Sequence, residues 1–159
     1  MYKVAITAVH GNTDKPICAI EFDSRKVKPN NIFVAQKGLA FDGHQFIDKA
    51  IELGVAAIVC EEVPVNLVAD ITYVQVENAN IALAIMASNF YDNPSLKLKL
   101  IGVTGTNGKT TIASLLYNLF QKAGYKSGLI STVNIMVDAK LYETTHTTPN
   151  SVLINHYLN

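Results

Sequence analysis

The chain has 159 residues, of which 49% are hydrophobic and 16% charged; that is enough apolar material for a sizeable core, and it excludes a disordered chain. Its 13 Lys and Arg balance 13 Asp and Glu, which excludes the cationic excess of a non-specific nucleic-acid binder or a polybasic membrane binder. A local phosphate site stays open, because backbone amides hold a phosphate without any net charge.

Along the first ninety or so residues, short apolar runs alternate with turn signals. Residues 4–9, 17–22 and 32–35 read as strands, separated by Gly11-Asn12 and by Lys28-Pro29-Asn30. A helix is expected over 43–53, with Phe46, Ile47, Ala50 and Ile51 on one face and Gly54 as its stop. Residues 56–60 and 73–76 are further strands. The segment 78–90 is a second helix, apolar nearly all round through Ile81, Leu83, Ala84, Ile85, Met86 and Ala87, and so expected to be well buried.

Asn93-Pro94-Ser95 is the best linker, since proline cannot continue the helix before it. Two domains are therefore expected, 1–93 and 94–159. The second opens with an apolar strand over 97–103, then a glycine loop, then the clearest helix of the chain. Its Ile112, Leu115, Leu116, Leu119, Phe120 and Ala123 recur at helical spacing, and Gly124 ends it. With a strand over 128–133 this order predicts a right-handed crossover unit of a parallel α/β sheet. Residues 135–137 and 141–142 form a hairpin around Asp138-Ala139-Lys140, and a last helix starts after Pro149-Asn150. Two parallel strands cannot cover these helix faces, so the second domain reads as unfinished.

The loop Gly105-Thr106-Asn107-Gly108-Lys109-Thr110-Thr111, between strand and helix, has the setting of a mononucleotide phosphate loop. Gly105 and Gly108 permit backbone angles that a Cβ forbids, so that successive N–H groups can converge on an anion at a helix N-terminus. Lys109 supplies a cation for the β and γ phosphates and stands as the catalytic residue; the Thr110 hydroxyl can ligate Mg²⁺. ATP and Mg²⁺ are thus the expected cofactors. The strict pattern is not met, because Val103 stands where a further glycine is usual. A glycine turn that merely caps a helix would account for the glycines and threonines, but not for a lysine at the electropositive end. Asp138 follows an apolar run as a Mg²⁺-side acid would, yet reads better as the hairpin tip.

Cys18 and Cys60 lie far apart in apolar runs and are expected to be buried, reduced thiols. His10, His44, His146 and His156 form no metal-ligand spacing, and His44 reads as a helix-start residue. With no signal peptide and no membrane-length apolar stretch, a cytoplasmic protein is expected, without nucleic-acid or membrane partners and as a monomer.

With its shortened glycine pattern, the loop at 105–111 resembles that of the Mur ligase family, a pattern shared with folylpolyglutamate and cyanophycin synthetases. Asp23-Ser24-Arg25, then Asn31-Ile32-Phe33-Val34-Ala35, then Gly38 and Asp42-Gly43-His44 look like the first domain of the family's MurE and MurF branches. His146-Thr147-Thr148-Pro149 looks like the MurE branch, which adds the third residue of the stem peptide. The resemblance implies an α/β fold: a small UDP-substrate domain, then the start of a P-loop ATPase domain with a parallel sheet. It implies an ATP-dependent ligase of peptidoglycan synthesis, joining a diamino acid (meso-diaminopimelate or L-lysine) to UDP-N-acetylmuramoyl-L-alanyl-D-glutamate through an acyl phosphate. By motif match, Phe22, Ser24, Leu39, Ala40 and Phe41 would contact the uridine end, and His146, Thr147 and Thr148 the sugar and diphosphate. Asn150 departs from the family's usual acidic residue. The family's other Mg²⁺ ligands and its amino-acid-binding domain have no counterpart here, so the chain alone is expected not to catalyse ligation. A MurF-type or folylpolyglutamate-type ligase, and a non-catalytic nucleotide or UDP-sugar module, are the alternatives.

Overall fold

Five short apolar runs pair into one sheet: β1 (Ile6–His10), β2 (Ala19–Glu21), β3 (Asn31–Val34), β4 (Ala57–Cys60) and β5 (Thr72–Val76), in the order β1-β5-β4-β3-β2. Strands β2 to β5 run parallel, and β1 closes the far edge antiparallel to β5. The structure, a computed structural model, describes residues 1–38, 41–142 and 148–159. It divides into two units, Met1–Phe90 and Tyr91–Asn159.

In the first unit the register sets Phe33 beside Ile58 and Ile58 beside Tyr73. Side chains alternate along a strand, so these three share one face. They pack there with Cys60, Val27 and Val55 and with Ile47 and Ala50 of helix α1 (Ile47–Glu52). The opposite face carries Val34, Val59 and Val74, all buried, and Val74 lines a cavity together with Met86 and Phe90 of helix α2 (Ala79–Phe90). Every residue of β4 is buried, as expected for a central parallel strand covered on both sides. Helix α2 buries Ala79, Ala82, Leu83, Met86 and Ala87, whereas Ile81 is 60% and Phe90 45% exposed. The expectation of burial nearly all round is thus corrected: a helix on one face of a sheet covers only a stripe.

Two smaller corrections concern the same unit. The helix expected from residue 43 opens as a 3₁₀ turn, Gly43–Phe46, before α1 begins. Cys60 is buried as expected, but Cys18 is exposed, because it precedes β2 on the open edge of the sheet.

In the second unit, Asn93 takes a left-handed conformation (φ +50°) and Pro94 opens a 3₁₀ turn, Pro94–Lys97. The strand expected over 97–103 is absent. Residues 98–103 pair with no strand among the described residues, and Leu100 and Ile101 are 63% and 60% exposed. A strand exists only as a ladder, and an apolar run with no neighbour to pair with stays irregular. Helix α3 (Lys109–Lys122) follows, ended by Gly124 at φ +84°. The next strands, β6 (Gly128–Ile130), β7 (Ile135–Val137) and β8 (Lys140–Tyr142), form an antiparallel meander. The expected parallel crossover is therefore not formed within the described residues, whereas the 135–142 hairpin is. Helix α3 leaves Ile112, Leu115 and Leu119 between 48% and 63% exposed. The last helix, α4 (Ser151–Leu158), is capped by Asn150, whose side chain accepts from the Leu153 amide at 2.9 Å.

Candidate nucleotide and substrate sites

The glycine loop enters α3 through two left-sided residues, Gly105 (φ +148°) and Gly108 (φ +78°). A Cβ on Gly108 would find its nearest neighbour 3.9 Å away, so backbone angle and not crowding demands glycine there. The first helical bond runs from the Ile112 amide to the Gly108 carbonyl at 2.9 Å. Among the described residues, no hydrogen bond uses the amides of residues 105–111, which form a row of free donors at the positive end of a 14-residue helix. The Lys109 ammonium folds back onto the loop, donating to the carbonyls of Gly105 at 2.5 Å and Thr106 at 3.2 Å. Those carbonyls offset the cost of a cation at this helix end. Thr106, Asn107 and Thr111 are exposed and Thr110 half-buried. The loop can thus offer amides, one movable cation and a hydroxyl to a polyphosphate.

For Mg²⁺ the fit is partial. The Thr110 hydroxyl supplies one hard oxygen ligand, and no group of three His, Cys, Asp or Glu side chains forms a metal site among the described residues. Asp138 is engaged elsewhere. It is the hairpin tip, with φ +49°; its carbonyl accepts from the Tyr117 hydroxyl at 2.9 Å and its carboxylate from Gln121 at 3.5 Å.

In the first unit, Phe22 and Ser24 follow β2 and Phe41 lies in the connection after β3, both at carboxyl ends of parallel strands, where open α/β sheets bind ligands. The Asp23 carboxylate accepts from the Arg25 amide at 3.0 Å and from its guanidinium at 2.8 Å on each oxygen. These bonds from Arg25 hold the Asp23 carboxyl down to about 2. Ser24, between them, is 7% exposed, Phe22 half-buried, and Phe41 76% exposed. Leu39, Ala40, His146 and Thr147 lie outside the described residues; Thr148 is exposed, two residues before the Asn150 cap.

A cavity of about 370 Å³ opens at the other, amino ends of these strands, among Lys15, Ile17, Ile32, Ala57, Thr72 and Met86. Several of its polar groups are already used. Lys15 donates to the Asp70 and Ala56 carbonyls, Thr72 to the Asn12 carbonyl, and Asn89 to the Tyr2 carbonyl. It holds none of the candidate binding or catalytic residues named from the sequence.

One cluster was missed from the sequence. His44 Nδ1 lies 2.6 Å from Asp42 Oδ1, and His44 Nε2 accepts from the amides of Glu61 at 3.1 Å and Glu62 at 3.3 Å. Asp42 also caps the 3₁₀ turn through the His44 amide, and that bond first, then the imidazole, holds its carboxyl below the usual range. The Asp42-x-His44 spacing signals the cap, but partners that are backbone amides leave no mark in a sequence.

Comparison with known proteins agrees with these features. Residues 16–91 match the profile described as "Mur ligase family, catalytic domain", and residues 103–159 that of the "Mur ligase middle domain". The chain belongs to the Mur ligase family. Within it, the chain is 52% identical over 159 residues to a UDP-N-acetylmuramoyl-L-alanyl-D-glutamate–2,6-diaminopimelate ligase of Cytophaga hutchinsonii, covering 99% of this chain and 33% of that one. It is 46% identical to the ligase of the same name from Phocaeicola vulgatus, over 98% of this chain and 32% of that one. A solved structure of a UDP-N-acetylmuramoyl-L-alanyl-D-glutamate–2,6-diaminopimelate ligase superposes with TM-score 0.68 at 26% identity, covering 90% of this chain and 29% of its own. The MurF ligase of Thermotoga maritima, solved in complex with ADP, gives TM-score 0.57 at 30% identity over 89% of this chain and 29% of its own. The chain thus spans about a third of the length of the curated relatives it matches.

Proposed function

We propose that residues 94–159 bind ATP through the loop at 105–111, and that residues 1–93 bind the uridine end of UDP-N-acetylmuramoyl-L-alanyl-D-glutamate. The protein they belong to would join 2,6-diaminopimelate to that dipeptide. The observation that carries the reading is the row of unspent amides from Gly105 to Thr111 with the Lys109 ammonium beside them. The names of the relatives from Cytophaga hutchinsonii and Phocaeicola vulgatus support this substrate and this diamino acid over L-lysine.

The chemistry follows from carboxylate being a poor electrophile. A glutamate carboxylate oxygen would attack the γ-phosphorus of ATP, with ADP leaving and an acyl phosphate forming; the amine would then attack its carbonyl carbon, phosphate leaving with the bonding pair and the amine losing a proton. In this chain the amides of 105–111 would fix the polyphosphate, and Lys109 would exchange its two carbonyl partners for phosphate oxygens. Mg²⁺, when bound, neutralises phosphate charge, and Thr110 would contribute one ligand to it. Phe22, Ser24 and Phe41, with Leu39 and Ala40, would hold the uridine; His146, Thr147 and Thr148 would hold the sugar and diphosphate. The protein would act in the cytoplasm, where its nucleotide substrates are. The matched MurF structure keeps a MurF-type specificity as the second reading.

Titration calorimetry of this chain with ATP·Mg²⁺ and, separately, with UDP tests the two halves of the reading. Binding of both, without phosphate release when diaminopimelate and the dipeptide substrate are added, is expected. Binding of neither would refute it.

A further inference from the structure

Phe41 is flanked by backbone bonds on both sides. Lys37 and Asp42 form a bridge, the Gly38 amide donates to the Phe41 carbonyl at 2.9 Å, and the Gly43 amide to the Gln36 carbonyl at 2.8 Å. Gln36 donates to the Asn80 side chain and the Lys37 carbonyl accepts from Asn80 at 3.5 Å, both exposed ties to α2; the buried tie is the imidazole of His44, two residues beyond Asp42. Nε2 accepts two amide N–H groups, so it carries no proton; the ring proton is on Nδ1 and is donated to Asp42. The two amides belong to Glu61 and Glu62, where the chain leaves β4, and the Glu61 carboxylate in turn accepts from the Ala79 amide at the start of α2 at 2.9 Å. The His44 side chain is 14% exposed. By contrast, the parallel tie between Lys37 and Glu62 leaves its partners 43% and 75% exposed, and solvent screens such a pair.

We propose that His44 is a positioning residue: as a neutral imidazole with its proton on Nδ1, it fixes the turn bearing Phe41 to the ends of β4 and α2, and so sets the uridine-binding edge of the first unit. The proposal rests on the reading of that edge as the UDP site. A second ring proton would sit on Nε2 and face the two amide hydrogens, so the imidazolium cannot keep this arrangement. The charged groups around the ring are Asp42 on its own turn, Lys37 before it, and Glu61 and Glu62 opposite.

The test uses two replacements that each keep half of the ring's bonding. His44→Gln can accept from the Glu61 and Glu62 amides but not serve Asp42; His44→Asn can donate to Asp42 but not reach the amides. Nitrogen-15 NMR of the 159-residue chain should show Nδ1 protonated and Nε2 bare near pH 8. By calorimetry, His44→Asn should weaken UDP binding about tenfold, with His44→Gln within about twofold of the parent. A proton on Nε2, or equal UDP affinity in His44→Asn and the parent, would overturn the proposal. Should the parent bind no UDP, the substrate reading fails, and the Phe41 and Asp42 amide signals decide the clamp. Displaced in His44→Asn and kept in His44→Gln they support it; unmoved in both they refute it.

Discussion

The Tyr117 hydroxyl donates to the backbone carbonyl of Asp138 at 2.9 Å, tying the β7–β8 turn to the middle of α3. Tyr117 stands two turns along the helix from Lys109, roughly 12 Å at the helical rise. Asp138 is thus a turn residue held away from the phosphate loop. Asp138→Asn should leave ATP·Mg²⁺ affinity within about twofold of the parent. A tenfold fall in calorimetry, by the same arithmetic about 1.4 kcal/mol, would make Asp138 an acidic partner of the metal after all.

The two thiols should separate cleanly. Cys60 is fully buried, and burial pushes its thiol up to about 11; Cys18 is exposed. At neutral pH a thiol reagent should modify Cys18 in the folded chain and reach Cys60 only on unfolding. The folded value of Cys60 lies above its ordinary value, so the folded thiol stays neutral where the unfolded one ionises. Stability should fall as pH rises from about 9 towards 11. Cys60→Ala should abolish that alkaline loss, and equal labelling of both thiols in the folded chain would contradict the burial.

Acid should act at Asp23. Bonds from Arg25 lower its folded value to about 2, so its contribution is present above the unfolded value and disappears as pH falls through about 2. Urea unfolding of Asp23→Asn against the parent should differ near pH 6 and converge near pH 2. A difference independent of pH would mean that the turn does not need the charge.

Close approach, not backbone angle, demands glycine at 43. A Cβ there would lie 2.7 Å from the Gln36 nitrogen and 2.8 Å from its oxygen. Gly43→Ala should destabilise the first unit by about 1–3 kcal/mol, the usual range for overpacking, read as a lower urea midpoint. An unchanged midpoint would show that the foot of the turn can give way.

Much of this could be read from the residues themselves. The period of α3, the hairpin around Asp138 and the glycine loop follow from local rules, because helix spacing, a positive-φ turn and an anion-ready loop each need particular residues close in sequence. What failed depended on neighbours in space. The run at 97–103 has strand composition and no partner strand among the described residues; Cys18 sits on an edge; and Ile81 lies on the outer side of its helix. His44 was legible as a helix start and as part of the Asp42-Gly43-His44 motif, but not as an acceptor. Its acceptor role depends on amides 17 and 18 residues away.

The most direct measurement is calorimetry of Lys109→Ala against the parent with two ligands, ATP·Mg²⁺ and UDP. Loss of the ammonium beside the free amides of 105–111 should weaken ATP by about a hundredfold or more, roughly 3 kcal/mol, while UDP binding by the first unit stays within about twofold. Unchanged ATP affinity, or an equal loss of both ligands, would contradict a phosphate site built on this loop.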